Sequence, residues 1–465
     1  MSMAKWVETH LHSQLSKLPR ADTFVLHTAC TRSTPTRPLY SSDKTAIEDK
    51  ENTWRCRESL FILGWRSPSN NKNQGEKGEN EGSNLKKFGE ESEKIIERTK
   101  QDEEVLISAL NVYEYVFNED GKSLPSRIIY ISKVDSSGNY PYRSSISPTK
   151  ALVVAYLRSL TSTCKAYSST KVHVFARAQR QYLFAGSGEN PMKRVAGDRR
   201  LAIWWLDVLA GIIPSGNETK SGTEGMHLSG VKARGWWFIP GSFSQLEAQA
   251  ILRYTLATAT NEADKQPFVW TYGYPYPKLA RAHVAIPRFE DDPKARILQN
   301  YNAMDENEEG NENRKGGSVE EFWEVLSVGE ECGAGRVTGF YVVELGHETA
   351  LGERADEAAS KEGNSTLSTT EHVNGELSAE VFTRVVNDFL SLDFSSQEHS
   401  IASTKRWYRI SQKLGLPTPA IIRVEGSNTA QEQDVKAAYK ESEKRKMEPV
   451  AVNVLGAGFI KRKKT

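Results

Sequence analysis

Two adjacent carboxylates, Asp291 and Asp292, are the residues of this chain best suited by type and spacing to acid–base chemistry. The apolar run 282–286 before them predicts a strand, and a loop at the end of a strand holds side chains firmly towards a substrate. A proline follows Asp292 and keeps that residue in an extended conformation. The pair is therefore a candidate site at which carboxylates face a substrate. A plain acidic turn that caps a helix over residues 294–300 explains the same residues and is the more common arrangement.

A glycine- and serine-rich turn is a second candidate site, for phosphate. Residues 105–117 and 127–134 alternate in a strand-like way across a turn sequence, which predicts a hairpin. The hairpin ends in Asp135-Ser-Ser-Gly, and Arg143 then precedes a helix start at Ser147. The N–H groups of such a turn and of a first helical turn bind phosphate well. An ordinary solvent-exposed hairpin exit is the alternative, and on spacing alone it is the more common one.

Two adjacent tryptophans lie in a predicted helix that Asp198 caps and Gly211 ends. Trp204 and Trp205 point roughly 100° apart around a helix, so at most one occupies the centre of its buried stripe. The other is free to line a cavity. A purely structural role in the core is the more common use of such a pair.

The remaining chain alternates predicted strands and helices. Capping boxes begin helices at Ser244 and Ser318, and a further helix is predicted over residues 378–394. Four segments too polar to bury a core are predicted to be disordered inserts, namely 67–100, 304–317, 353–376 and 426–448. Because the inserts separate short pieces of mixed type, residues 1–465 are predicted to form a single α/β or α+β domain. The basic tail 461–465 fits either a solvated end or a nuclear-import or acid-binding patch.

The overall composition argues against several classes of protein. The 465 residues carry 61 basic and 60 acidic side chains, and a net charge of +1 gives no general attraction to DNA or membranes. Four cysteines without CxxC spacing indicate reduced thiols in the nucleus or cytosol, and nine histidines without HxxxH or HExxH spacing give no support for a metal. No apolar run has the length of a signal-peptide core or a membrane span, so a soluble intracellular protein is expected. GxSxG, Walker A and Rossmann motifs are missing, which argues against a hydrolase, an NTPase or a dehydrogenase.

Five motifs occur in the order in which a known family carries them: RIIYISKVDSSGNYPYR, FARAQRQYLF, IWW, FEDDPKAR and EFWEVL. On these motifs the chain resembles the fungal-specific histone acetyltransferase family that modifies histone H3, and the resemblance covers roughly residues 105–409. The resemblance implies a GNAT/CBP-like acetyltransferase core, in which helices surround a central mixed sheet of seven strands. It also implies acetyl-CoA as co-substrate and no metal.

The resemblance assigns roles to residues by position. The residues implied to bind the coenzyme are Val134, Asp135, Ser136, Arg143, Ser144, Ser145, Ile146, Ser147, Phe175, Gln179, Arg194, Val195, Ala196 and Trp204. Among them, residues 143–147 are implied to receive the phosphates. The residues implied to act at the reacting acetyl group are the aromatic pair Tyr182 and Trp205 and the acid–base residue Asp292, with Asp291 beside it. Lys294 matches a lysine that members of the family acetylate on themselves.

Two departures from the family pattern affect the expected pantetheine channel. Arg194 stands where a histidine is expected, and Gln179 where a small residue is expected. The reaction itself needs a neutral lysine amine, whose pKa in water is near ~10.4. A carboxylate that accepts the amine's proton, directly or through a water, and aromatic walls that exclude solvent both favour that state. No cysteine or serine has an activating sequence context, so direct transfer in a ternary complex is expected.

The resemblance also implies partners and a location. The partners are histone H3–H4, an anti-silencing immunoglobulin-like chaperone and a nucleosome-assembly-type chaperone, with no direct contact to DNA or membrane. The implied targets are a core-proximal helix lysine and tail lysines of H3, in the nucleus, during replication and DNA repair. Two alternatives stay open, an inactive histone- and chaperone-binding adaptor and a small-amine acyl-CoA transferase.

Overall fold

The computed structural model describes residues 2–41, 54–66, 104–119, 122–142, 146–213, 231–241, 244–259, 268–292, 294–295, 297–300, 317–329, 338–347 and 375–425. The predicted inserts lie outside the described residues, apart from position 317 and positions 375–376 at their ends. The basic tail lies outside them as well, and so do Arg143, Ser144 and Ser145. No described helix has the length and hydropathy needed to cross a bilayer.

Strands and helices alternate along the described chain. The strands are β1 Asp22–Thr31, β2 Thr34–Pro35, β3 Arg55–Arg66, β4 Glu104–Phe117, β5 Ser126–Ser136, β6 Ser169–Arg177, β7 Val231–Phe238, β8 Phe268–Tyr272, β9 Thr338–His347, β10 Glu376–Leu377 and β11 Ala420–Val424. The helices are α1 Met3–Leu15, α2 Pro148–Thr163, α3 Asp198–Ala210, α4 Gln245–Ala259, α5 Ala282–Ala285, α6 Val319–Val328, α7 Ala379–Leu390 and α8 Gln397–Lys413.

All of these strands belong to one mixed sheet. Its order is β10-β1-β3-β4-β5-β6-β9-β7-β8, with β11 added on β1 and β2 on β3. The mixed sheet with surrounding helices confirms the predicted fold class, but the predicted count of seven strands is too low, because eleven are described. Two of the additional strands have only two residues, and β11 comes from the end of the described chain, beyond the motifs that carry the resemblance.

The predicted hairpin is confirmed as the antiparallel pair β4 and β5. Helix α2 then carries the chain across the sheet to β6, which lies parallel to β5. This crossover brings the carboxyl ends of two parallel strands beside the start of a helix, a usual place for a ligand in α/β proteins. The predicted start of α2 is confirmed as well, because the Ser147 side chain accepts a hydrogen bond from the N–H of Lys150 and a proline opens the first turn.

Both faces of the sheet are covered by apolar layers. Alternate residues of β3 and β4 belong to one apolar cluster with α1, α2 and α3 on one face and to another with α7 and α8 on the other. This double coverage explains why the first nine residues of β4 are all buried. Helices α5 and α6 form a third apolar cluster with Phe340 of β9. The capping boxes predicted at Ser244 and Ser318 are both present, at the starts of α4 and α6.

Two local predictions are wrong. Residues 282–286 are not a strand, since Ala282–Ala285 form the short helix α5 and the N–H of Ile286 bonds to the carbonyl of Ala282 at 2.9 Å. A five-residue apolar run fits either periodicity, and here a spacing of four brings Ala282 and Ile286 into the same cluster. Asp198 is the first residue of α3 rather than its cap, which is Gly197. Its charge still favours the positive end of the helix.

Candidate active site

A cleft of about 540 Å³ opens where β5, β6, α2 and α3 meet. Its walls come from the carboxyl ends of the two parallel strands, the first turn of α2, the segment 193–196 and the tryptophan-bearing face of α3. Most of the residues predicted from the sequence line it: Val134, Asp135, Ser136, Ser147, Phe175, Gln179, Tyr182, Arg194, Val195, Ala196, Trp204, Trp205 and Asp291. Segments that are far apart in sequence are therefore neighbours in space, as one binding site requires.

Three predicted site residues lie elsewhere. Ile146 does not line the cleft and packs against the main apolar cluster instead. Asp292 and Lys294 line a second, smaller cavity of about 30 Å³. The two cavities share Tyr130 and Phe175 as lining residues, so the smaller one adjoins the cleft.

The carboxylate of Asp135 is fully engaged by the protein. Its Oδ2 accepts hydrogen bonds from the consecutive backbone N–H groups of Tyr182, Leu183 and Phe184, at 2.8, 2.9 and 3.0 Å. Its Oδ1 accepts from the N–H of Ser136 at 2.8 Å and from the Lys193 ammonium at 2.7 Å. A carboxylate offers about four lone-pair sites, so Asp135 has little capacity left for a ligand. These contacts hold the end of β5, the backbone at residues 182–184 and Lys193 together in the wall of the cleft.

Asp291 faces the cleft and has its own counter-ion. Its Oδ2 lies 2.8 Å from the ammonium of Lys133 and 2.5 Å from the hydroxyl of Ser132. Burial raises the pKa of Asp291, but the Lys133 ammonium and hydrogen bonds from Lys133, Ser132 and Tyr130 outweigh burial and hold this pKa below its usual range. Asp291 is therefore an ionised carboxylate at the cleft surface at neutral pH.

Asp292 is buried, with 3% of its surface exposed. It forms an ion pair with the Lys294 ammonium, and its Oδ1 also accepts from the Lys294 N–H at 2.9 Å. The second contact is the helix-capping role given above as the alternative for this acidic turn, and residues 294–295 and 297–300 are helical. Burial lowers the pKa of Lys294 to about 7, although the Asp291 carboxylate acts in the opposite direction. A lysine held in this way gains or loses its proton near neutral pH.

Aromatic side chains surround both cavities. Trp204 and Trp205 pack edge to face with ring centres 5.0 Å apart, and the latter is buried in the core. Both rings line the cleft, and Trp205 is in addition a core residue, whereas Trp204 is only partly buried. The hydroxyl of Tyr182 donates to the carbonyl of Arg177 at 2.5 Å, which fixes the ring at the cleft wall. The Lys294 ammonium lies 5.4 Å from the ring centre of Phe289, within the range of a cation–π contact.

Several cations that line the cleft were not predicted from the sequence, namely Lys133, Lys150, Arg177 and Arg200. Lys150 lies in the first turn of a predicted helix, where the helix dipole disfavours a cation that has no anion nearby, so its position was an available signal. Its ammonium contacts Asp207 of α3 at 2.6 Å. Lys133 lies beside a register shift, where β5 has one more residue than β4 between two paired positions. A bulge of this kind redirects side chains, and the sequence carries no signal for it.

A metal site and a reactive thiol each place requirements on the described residues. It contains no group of three or more His, Cys, Asp or Glu side chains placed to hold a metal. The described cysteines are free, and burial raises the pKa of Cys30, Cys56 and Cys164. A raised thiol pKa disfavours the nucleophilic thiolate. None of these cysteines lines the cleft.

Comparison with known proteins identifies the family to which this architecture belongs. Residues 159–410, more than half of the chain, match the family described as "Histone acetyltransferase KAT11-type domain". The chain therefore belongs to the KAT11-type histone acetyltransferase domain family, which confirms the resemblance found in the sequence.

Fungal relatives agree with this assignment. The protein named "Histone acetyltransferase rtt109" of Aspergillus flavus is 32% identical over 238 residues, which cover 46% of this chain and 41% of the relative. The protein of the same name in Schizosaccharomyces pombe is 28% identical over 225 residues, which cover 47% and 52%. The matched region thus spans about half the length of these relatives.

The fold is similar to that of a solved structure. The crystal structure of Rtt109 from Aspergillus fumigatus superposes with a TM-score of 0.62, covering 90% of this chain and 100% of the other at 24% identity. At this identity the likeness is evidence for the fold, and it supports the mixed sheet surrounded by helices.

Proposed function

We propose that the protein is a protein-lysine acetyltransferase that moves the acetyl group of acetyl-CoA to lysines of histone H3. The observation that carries the proposal is the cleft at the carboxyl ends of β5 and β6. There an ionised carboxylate, an aromatic pair and the cation-bearing first turn of α2 converge in a chain of the KAT11-type family.

The cleft fits acetyl-CoA in its chemistry. The start of α2 offers N–H groups and the Lys150 side chain to phosphates, and Arg194 and Arg200 add positive charge nearby. Phe175 and Gln179 form the wall proposed to flank the pantetheine arm. Arg143, Ser144 and Ser145, proposed as further phosphate contacts, lie outside the described residues.

The proposed reaction is direct acetyl transfer in a ternary complex. The neutral amine of the acceptor lysine attacks the thioester carbonyl, a C–N bond forms, the C–S bond breaks, and the thiolate departs. The amine's proton passes to a carboxylate of the pair, Asp292 directly or through a water, with Asp291 beside it. Tyr182 and Trp205 exclude water from the reacting atoms, and exclusion of water favours the neutral amine.

Lys294 is the proposed site of self-acetylation. Its ammonium forms an ion pair with Asp292, so acetylation would remove the cation that neutralises the proposed acid–base residue. The burial that lowers its pKa to about 7 also favours the neutral, nucleophilic amine.

The proposed biological setting is chromatin assembly in the nucleus, during replication and DNA repair. The proposed substrate is histone H3–H4 presented by an anti-silencing immunoglobulin-like chaperone and by a nucleosome-assembly-type chaperone. A core-proximal helix lysine and tail lysines of H3 are the proposed targets.

One assay tests the proposal. The full chain is incubated with labelled acetyl-CoA and an H3–H4 dimer, with and without each chaperone, and in parallel with a small polyamine. Label on H3 that increases with a chaperone is the expected result. Label on the polyamine alone would identify a small-amine acyltransferase. Binding of H3–H4 without any transfer would identify an adaptor.

A further inference from the structure

Lys193 is a buried cation at the junction of three segments that form the cleft wall. Its side chain is 5% exposed, and the side chain of its partner Asp135 is 6% exposed. The ammonium lies 2.7 Å from Oδ1 of Asp135 and 2.7 Å from the hydroxyl of Ser187. If either member of a buried ion pair is lost, the other charge stays buried without a counter-ion, which is strongly destabilising. The contact between Lys193 and Asp135 is therefore expected to persist in the folded protein.

The partners of Lys193 connect it to the loop that bears Tyr182. The other oxygen of Asp135 accepts the three backbone N–H groups of residues 182–184. The hydroxyl of Ser187 donates to the carbonyl of Phe184 at 2.6 Å while it accepts from Lys193. One ammonium therefore fixes both ends of this loop.

The backbone of Lys193 contacts the hairpin exit. A Cβ placed on Gly138 would lie 2.6 Å from Cα of Lys193, so the two backbones touch at a position that only glycine allows. Asn190, three residues earlier, donates to the carbonyl of Ser137 at 3.1 Å. The segment 194–196, which lines the cleft, follows Lys193 directly. The end of β5, the 182–187 loop and the 194–196 wall are thus joined at one buried ion pair.

We infer that Lys193 is a positioning residue for the coenzyme. Its ammonium orients the Asp135 carboxylate to bind the amides of residues 182–184, and so fixes the distance between the hairpin exit and the 194–196 wall. The inference rests on the proposed function for the identity of the ligand, coenzyme A. The contacts that define the role of Lys193 do not depend on that identity.

The test uses the full chain with Lys193→Met, which keeps the length of the side chain and removes its charge. Two quantities are measured: hydrogen exchange of the amides at 182–184, and the Kd of coenzyme A by calorimetry. We expect exchange at these amides to accelerate at least tenfold and coenzyme affinity to fall at least tenfold. The KM for the histone acceptor is expected to change less than twofold.

A buried cation outside the cleft provides the matched control. Arg127 is 1% exposed, pairs with Glu114 and donates to the carbonyl of Leu160. Arg127→Met is expected to lower the melting temperature yet to leave coenzyme affinity and the exchange of amides 182–184 unchanged. Ser187→Ala is the milder second variant in case Lys193→Met does not fold. It removes one of the two ammonium contacts and is expected to give roughly a threefold loss of affinity in the same direction.

Two results in Lys193→Met would overturn the inference: amides 182–184 that remain protected from exchange, or a coenzyme affinity equal to that of the wild type. If Lys193→Met does not fold, the same two results in Ser187→Ala would overturn it. A wild-type chain that does not bind coenzyme A at all would overturn the proposed function instead. In that case the exchange measurement alone decides whether Lys193 organises the loop.

Discussion

The ammonium of Lys133 lies 2.8 Å from the Oδ2 of Asp291, whereas the next residue along the chain, Asp292, forms its ion pair with Lys294. Two adjacent carboxylates therefore have separate counter-ions in separate cavities. Asp291 is exposed to the cleft, and Asp292 lies behind it in the smaller cavity. Because each charge is compensated locally, the repulsion expected between the two acids is reduced.

Replacing Lys133 with methionine tests this separation. Without the ammonium, the pKa of Asp291 is expected to rise, and the acidic limb of the pH–rate profile is expected to move to higher pH. A carboxyl whose pKa is lowered on folding stabilises the fold above its unfolded pKa of about 3.9 and loses that contribution as the pH falls through the lowered value. The variant is therefore less stable at pH 5–7, by less than about 1 kcal/mol because the pair is a third exposed. Stability of the two proteins converges at lower pH.

Lys278→Met is the control for Lys133→Met. Lys278 forms an exposed ion pair with Glu320 at 2.8 Å, outside the cleft. This control should leave the pH–rate profile unchanged. Equal stability of Lys133→Met and the wild type at pH 5–7 would contradict a role for Lys133 in setting the charge of Asp291. An identical pH–rate profile would show that this charge does not control the rate.

The lowered pKa of Lys294 predicts a pH dependence of stability. The folded chain binds fewer protons than the unfolded chain between pH 7 and about 10.4, so stability rises with pH in this window. The slope from this residue is at most about 1.4 kcal/mol per pH unit. Urea unfolding between pH 7 and 9.5 measures it, and Lys294→Met should remove this part of the slope. Parallel curves for wild type and variant would show that Lys294 keeps an ordinary pKa.

The pair of Asp292 and Lys294 allows catalysis and stability to be separated. Below pH 7, where Lys294 is protonated, Asp292→Asn leaves a buried ammonium without its counter-ion and is expected to cost up to about 3 kcal/mol. Adding Lys294→Met removes that ammonium and should restore most of the stability. Both the single and the double variant should turn over slowly while coenzyme affinity stays nearly intact, because Asp292 does not line the cleft. Recovery of turnover together with stability in the double variant would remove Asp292 from acid–base chemistry.

The sequence predicted the parts of the fold that depend on local signals. The β4–β5 hairpin and the starts of α2, α4 and α6 followed from alternation, capping residues and a proline. Residues 282–286 were misassigned because a five-residue apolar run fits a helix and a strand equally well. The sheet order was not predictable from these signals, since the pairing of β11 with β1 joins Ile421 to Val25 across almost the whole described chain.

Most of the residues predicted from the order of the motifs along the chain line the candidate site. The ion pairs between residues of the site could not be predicted from local sequence patterns. The resemblance placed Asp135 and Tyr182 in one cleft, and the structure brings them there. The contacts of Lys133 with Asp291 and of Lys193 with Asp135 depend on a strand bulge and on loop packing. Both contacts join residues that are far apart in the sequence, by 158 positions for the first pair and 58 for the second.

Gly138 is predicted to be intolerant of any side chain. Its φ of +89° is unfavourable for other residues, and an added Cβ would collide with the Lys193 backbone. Gly138→Ala should lower stability by about 2 kcal/mol and weaken coenzyme binding, as measured by thermal unfolding and calorimetry. Gly329→Ala is the matched control, since Gly329 has a φ of −69° and only ordinary contacts at its Cβ position. Equal effects of the two substitutions would contradict the close approach at Gly138.

The adjacent tryptophans of α3 should respond differently to truncation. Trp205 is 5% exposed within the core, and Trp205→Ala is expected to cost about 3 kcal/mol of stability in addition to lost activity. Trp204 is only half-buried, so Trp204→Ala should cost much less stability while coenzyme affinity falls on the order of tenfold, or about 1.4 kcal/mol. Phenylalanine at either position keeps an aromatic wall and should recover most of the loss. If Trp204→Ala bound coenzyme A as tightly as the wild type, the wall that α3 contributes would lie outside the coenzyme site.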